Sequence, residues 1–390
     1  MRKQGILPGT GESPAEKVEL LSSAGGHKER TTMEGKTVAV TGASGFIGSH
    51  ICKQLVEQGC TVRACVRDAE NEVKTQHLRE LAESSAGSIS FFSCDLLMEG
   101  SFDAAFDGSD AVVHTAAVVL VTASDPQRDI IDPSVVGTRN VLGAVDRAKS
   151  VRRFVHTSSV AAVHTHAGDA AHIYDESDWN SADAATDPYG FAKREAERMV
   201  QQAADASAGR WDVAIMNPGM VWGPCPTKAH TKASPVFVRQ HLYGNTQPSI
   251  SFPIVDVRDV AAGHVAALTL PQSKSGKIGR HVLVSGTEMF TEELGGKMQK
   301  MYPQLVIETK ALSSFWVWFG ALNPCVTAIN VHMALHVIGK PFHYSNAKAT
   351  RVLGIKWRDP NDTLRDTVDS MIDTGFVKPR RRKGVDSKKD

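Results

Sequence analysis

The residues with the clearest chemical potential lie near the middle of the chain. Tyr189 and Lys193 stand four residues apart in DPYGFAKREAERM, so on a helix they share one face. A phenol with an ordinary pKa of about 10 exchanges protons poorly near neutrality unless a cation favours its phenolate, and an ammonium one turn away supplies one. Such a pair can act as a general acid or base. Thirty residues before Tyr189, a short apolar strand, Arg153 to His156, ends in Thr157-Ser158-Ser159. A hydroxyl at a strand end could bind and orient a substrate oxygen while a hydride carrier attacks the carbon beside it.

These groups need elements to hold them and a site for the hydride carrier. Thr41 to His50, TGASGFIGSH, follows an apolar strand at Thr37 to Val40. It enters a helix whose apolar positions Phe46, Ile47, Ile51, Leu55 and Val56 recur at helical spacing. Gly42 suits a tight turn, Gly45 leaves room for a pyrophosphate, and Gly48 lets the helix pack closely. The free amides at that helix start would face the anion. Cys60 to Val66 alternates as a second strand and ends in Arg67. In folds of this kind an acid there holds the ribose of NAD, whereas an arginine accommodates the 2′-phosphate of NADP. Arg67 therefore points to NADP(H), with NAD(H) kept as an alternative because Asp68 adjoins it.

A helix near Glu72 to Ala82 leads to a third strand, Ser88 to Ser93, and the fourth, Ala111 to His114, runs into Thr115-Ala116-Ala117. Those small residues would let a cofactor lie against the strand end. His114, inside an apolar strand, reads as a packed, hydrogen-bonded histidine. Pro133 to Lys149 reads as a helix, with Asp132 suited to cap it. The alternation predicts an α/β, Rossmann-type doubly wound parallel sheet, with a smaller C-terminal substrate-binding lobe.

The TGxxGxxG turn together with Ser…Tyr-x-x-x-Lys resembles the extended branch of the short-chain dehydrogenase/reductase superfamily. TVRACVRDAENEVKTQHLREL, YDESDW, GKPFHYSNAKATRVLGIKW and TLRDTVDSMIDTG resemble dihydroflavonol reductases and their relatives within it. The likeness runs from about Gly35 to Val377. It implies a catalytic set of Ser159, holding the carbonyl, Tyr189, donating the proton, and Lys193, tuning it and holding the nicotinamide ribose. It implies further cofactor positions at Phe46 and Ile47, Lys74 beside Arg67, Asp95 and Leu96 at the adenine, and Thr157. It also implies that Pro218 and Val221, in NPGMVWGP, close over the nicotinamide, and that His164 touches substrate where the group usually has asparagine.

Composition bounds the alternatives. The 390 residues are 42% hydrophobic and 22% charged, with a formal charge of +1, so nothing global draws the chain to nucleic acid. Six cysteines at scattered spacings read as reduced core thiols. His164, His166 and His172 share one loop, but no other ligand sits at metal spacing, so no metal is expected. Residues 1–34 read as a disordered extension without a signal sequence. Residues 35–377 form the reductase unit, the cofactor part mainly 35–218 and the substrate lobe mainly 219–377, and residues 378–390 a basic disordered tail. Ala311 to Gly339 carries no charge. It reads as two short helices over the pocket, with Phe315, Trp316, Trp318 and Phe319 favouring an apolar or aromatic substrate, and shallow membrane attachment as the alternative.

These observations predict a cytoplasmic, monomeric or homodimeric NADPH-dependent reductase of a ketone or aldehyde on a hydrophobic small molecule. The rivals are an NAD-preferring 3β-hydroxysteroid-type dehydrogenase, a nucleotide-sugar epimerase or dehydratase, and a non-catalytic cofactor-binding regulator.

Overall fold

Apolar strands alternating with amphipathic helices build the molecule around one parallel sheet. The structure, a computed structural model, describes residues 32–117, 123–165, 172–273, 275–323, 329 and 331–382. Most of the expected N-terminal extension, His166, Cys325 and the end of the basic tail lie outside the described residues.

The first half gives β1 (Thr37–Thr41), α1 (Phe46–Glu57), β2 (Thr61–Val66), α2 (Glu72–Glu83), β3 (Ser88–Ser93), α3 (Asp103–Phe106) and β4 (Ala111–His114). It continues through α4 (Asp132–Arg147), β5 (Arg153–Thr157), β6 (Ile173–Tyr174), α5 (Pro188–Ala206) and β7 (Asp212–Pro218). The second half adds β8 (Met220–Trp222), α6 (Val236–Leu242), β9 (Ser251–Asp256), α7 (Val257–Thr269), β10 (Lys277–Leu283), β11 (Glu288–Phe290) and α8 (Thr291–Met301). It closes with α9 (Ser314–Leu322), α10 (Val331–His336), β12 (His343–Tyr344), α11 (Ala347–Leu353) and α12 (Pro360–Asp373).

The central sheet has the order β10-β7-β5-β4-β1-β2-β3, and each neighbouring pair is parallel. Its order reverses at β1, which pairs with β2 on one side and β4 on the other. Ligands bind doubly wound sheets in the crevice at such a reversal. Period-two alternation splits β1 between two cores: Val38 and Val40 join Leu55 and Val260, whereas Ala39 joins Val112, Val141 and Phe154. Accordingly α1 packs on α7 over one face, and α4 on α5 over the other.

A buried ion pair ties the sheet to its cover. Arg153 Nε and Nη2 meet both carboxylate oxygens of Asp212 at 2.7 and 2.8 Å, and Nη1 donates to the carbonyls of Ala267 in the last turn of α7 and Leu270 just beyond it. The second half contributes two further sheets, β11-β9-β8 and β12-β6. It also returns β10 to the central sheet beside β7, so residues on either side of 218 share one framework.

Two local readings change. A π-helical turn at Gln127–Ile131 precedes α4, so Asp132 is already helical and its carboxylate accepts from Gln127 Nε2 at 2.6 Å. Asp125 does the capping, accepting from Arg128 N at 3.1 Å. Within the basic tail, Val306 N donates to Arg380 O and Arg382 N to Gln304 O, so this part of the tail is paired with the body of the protein.

Candidate active site

The cofactor end begins where β1 meets α1. Gly42 has φ +67°, and a Cβ there would lie 2.9 Å from Ala116 backbone atoms. A Cβ at Gly48 would sit 2.2 Å from Gly42 O. Only hydrogen fits at either position, and the turn therefore closes against the end of β4. No side chain caps α1 at Gly45, which leaves the first helical amides to an external acceptor. A pyrophosphate fits that cradle.

Gly42, Gly45, Phe46, Ile47 and Gly48 line one cavity of about 1290 Å³ with Arg67, Lys74, Asp95, Leu96, Thr115, Ala116, Ala117, Ser159, His164, Tyr189 and Val221. A pocket for one drug-sized ligand measures about 300–1,000 Å³, so this one has room for a cofactor and a substrate. Arg67 leaves the end of β2 and Lys74 lies in the first turn of α2. Both are exposed, and among the described residues neither joins an ion pair. Two unspent cations at the ribose end suit a 2′-phosphate.

At the other end β5 delivers Ser159 just before a 3₁₀ turn at Val160–Ala162, and Asp187 caps α5 by accepting from Gly190 N at 2.9 Å. Asn180 joins the two, donating from Nδ2 to Ala161 O and to Asp187 Oδ2, each at 2.8 Å. A Cβ on Gly190 would lie 2.1 Å from Asp187 Oδ2 and 2.7 Å from Ala161 O. This glycine therefore lets the tyrosine helix approach the serine turn. Ser159 and Tyr189 both line the same cavity wall, and Ser159 Oγ accepts from Ala161 N at 3.2 Å in the serine turn.

Beneath them lies a buried polar scaffold. Glu197, fully buried one turn beyond Lys193, accepts from Arg280 Nε at 2.7 Å and from Asn217 Nδ2, which also donates to Ser159 O at 3.1 Å. Arg280 stacks on Trp179 at 4.0 Å and donates to the carbonyls of Glu176 and Asp178. The YDESDW segment thus clasps the arginine that holds the glutamate behind the serine.

Burial sets the charge states. It pushes the Tyr189 phenol above its usual range, with neighbouring Ser159 opposing the rise. It lowers Lys193 to about 8, with Glu197 opposing the fall. Lys193 Nζ lies 5.9 Å from the Tyr189 ring centroid, and burial is the largest influence on the phenol. Burial thus favours the neutral form of the phenol.

Three expected cofactor contacts sit off the large cavity wall. Lys193 lines a narrow adjoining cleft with His114, Ala116, Ala117 and Thr157. Thr157 reaches the same cleft, but its hydroxyl lies 2.8 Å from His264 Nε2. Pro218 is buried in β7, and Gly219, Met220 and Val221 reach the wall in its place. His114 Nδ1 lies 2.7 Å from Thr41 Oγ1, and burial lowers its pKa to about 3, as for a packed histidine.

Toward the substrate end, His164 Nδ1 lies 2.7 Å from Tyr344 Oη, with Phe342 packed 4.7 Å away. Phe237, Phe252, Met333 and Val337 add apolar wall. Phe315, Trp316, Trp318 and Phe319 do not: they are exposed and absent from the lining, because α9 turns Val317, Gly320 and Ala321 inward. Among the described residues no three His, Cys, Asp or Glu side chains gather as a metal site, and no helix is long and apolar enough to cross a membrane.

Comparison with known proteins identifies this arrangement. The sequence pattern of the NAD dependent epimerase/dehydratase family matches residues 38–284. The chain belongs to that family. Membership makes it a nicotinamide-dependent enzyme, an extended short-chain dehydrogenase/reductase with a Rossmann-type fold. It is 32% identical to cinnamoyl-CoA reductase 2 of Arabidopsis thaliana over 351 residues, covering 88% of this chain and 95% of the relative. It is 32% identical to a bifunctional dihydroflavonol 4-reductase/flavanone 4-reductase of Malus domestica over 286 residues, 71% of this chain and 79% of the relative. Its fold resembles Gre2 of Candida albicans, solved in complex with NADPH, with a TM-score of 0.70 at 24% identity over 87% of this chain and 99% of that one.

The structure also places residues at the family's site that spacing did not reveal. Lys232 is a third cation on the cavity wall. It is brought there by His230, whose Nε2 lies 3.0 Å from Ser44 O in the glycine turn. Tyr344 reaches His164 from far along the chain. A lysine or a histidine in the stretch between β8 and α6 has no local pattern to mark it.

Proposed function

We propose that this chain reduces a ketone or aldehyde on an apolar small molecule with NADPH. The observation that carries the reading is one cavity with two chemically matched ends: the glycine cradle with Arg67 and Lys74, and the paired hydroxyl residues Ser159 and Tyr189. Arg67, Lys74 and Lys232 on the cavity wall suit a 2′-phosphate and weigh against an NAD-preferring steroid-type dehydrogenase. The relatives named as reductases support the same direction.

When bound, the reduced nicotinamide supplies the hydride. Ser159 donates to the carbonyl oxygen and holds its carbon open to attack. As the C=O π bond breaks and negative charge grows on oxygen, Tyr189 gives up its proton to form the alcohol. Lys193, charged below about pH 8, offsets the phenolate left behind, which regains a proton from solvent. His164 and Tyr344 meet the far end of the substrate, and the apolar wall excludes water around it.

The test is consumption of NADPH against a panel of aromatic and aliphatic aldehydes and ketones. The wild type should turn over at least one of them, and Tyr189→Phe should lower kcat by about 10²–10⁴-fold with cofactor affinity retained. Equal turnover by Tyr189→Phe would contradict the assignment.

A further inference from the structure

Seven of the thirteen exposed large apolar side chains among the described residues lie on two helices in contact, α9 and α10. Phe315 and Leu322 are each 69% exposed on α9, with Trp316, Trp318 and Phe319 beside them, and Val331 and Leu335 are exposed on α10. Side chains of that size rarely cluster on a free surface without a partner. We propose that this face docks into the interfacial zone of an anionic lipid bilayer, without crossing it.

Three observations select lipid as the occupant. Tryptophan and phenylalanine are the residues that settle at the boundary between headgroups and acyl chains, and α9 presents four of them in one short helix. Neither α9 nor α10 is long enough to span a bilayer, so the helices lie in the surface plane. The charge pattern then fits: Ala311 to Gly339 contains no charged residue and is bounded by Lys310 and Lys340. Both lysines are exposed, and among the described residues neither joins an ion pair. Glu308, the nearest acid before the stretch, turns its carboxylate onto Thr309 N and Lys310 N at 2.9 Å each. Arg380 and Arg382 pair by backbone with the segment leading to Lys310 and add cations on that side.

A second copy docked by a two-fold axis would bring the same acid-free face and the same lysines, with no carboxylate from this stretch to meet them. Anionic headgroups meet the lysines while the acyl boundary takes the rings. The inner sides of the same segment line the cavity through Ile329, Met333 and Val337, so the bilayer would lie behind one wall of the substrate end.

The experiment uses the full chain with vesicles of phosphatidylcholine, alone or with about 30 mol% phosphatidylserine. The protein should pellet with the phosphatidylserine vesicles, less so in high salt, and acyl-brominated lipid should quench its tryptophan emission. Phe315→Ser with Leu322→Ser should weaken pelleting at least about tenfold at unchanged Tm, both positions being exposed. Lys310→Glu with Lys340→Glu should remove the preference for phosphatidylserine and leave the quenching by neutral lipid. The proposal is overturned if the wild type does not pellet with anionic vesicles, or if the double serine variant pellets like the wild type. It is equally overturned if the wild type is a dimer that the serine variant breaks and neither binds vesicles.

Discussion

In the proposed reduction Tyr189 and Lys193 divide one task through opposite consequences of burial. Desolvation disfavours charge on both, which raises the phenol and lowers the ammonium to about 8. A neutral phenol is the form that reduction needs. The lysine is charged below its folded pKa and neutral above it, so its support for the developing phenolate is present below about pH 8 and is lost as pH rises through that value. We therefore expect kcat for reduction to hold steady below about pH 7 and to fall by up to about tenfold per unit above about pH 8. A pH profile of kcat at saturating substrate checks this, and a flat profile to about pH 10 would remove Lys193 from the step. The spacing of the pair within one helix made their shared face legible in the sequence. Which way the phenol shifts was not, because burial is a property of the surrounding fold.

At the scale of elements, the site is the approach of three of them: the α1 start, the serine turn after β5, and the first turn of α5. Gly190 sets the last approach, since any Cβ would enter the space of Asp187 and Ala161. Gly190→Ala should cost about 1–3 kcal/mol of stability and, by displacing Tyr189 from Ser159, lower kcat more than KM. Thermal unfolding with steady-state kinetics would show both, and a fully active variant with wild-type Tm would refute the close approach. Elements whose geometry is fixed within themselves were readable: β1, the glycine turn, α1 and the tyrosine helix all follow from local spacing. The scaffold of Glu197, Asn217 and Arg280 was not, because it joins a helix to two strands distant in sequence. The aromatic residues of α9 were assigned inward for a related reason. With no polar residue from Ser314 to Leu322 beyond the first, no helical periodicity marked which side faces out.

For the whole molecule, the central sheet decides function by where its strand order reverses. The glycine cradle and Arg67 fall on one side of that reversal, Ser159 and Tyr189 on the other, and one cavity connects them. The β-α alternation that predicts the sheet was plain in the sequence. The return of β10 beside β7 and the descent of Lys232 onto the cavity were not, since both depend on packing between remote segments. The account thus rests on a cofactor with a 2′-phosphate at Arg67. Its most direct test is titration of NADPH and NADH, followed by cofactor fluorescence, on the wild type and on Arg67→Asp. We predict tighter NADPH than NADH in the wild type, and a loss of about tenfold or more in NADPH affinity in Arg67→Asp. NADH bound as tightly as NADPH, or NADPH affinity unchanged by the substitution, would contradict it.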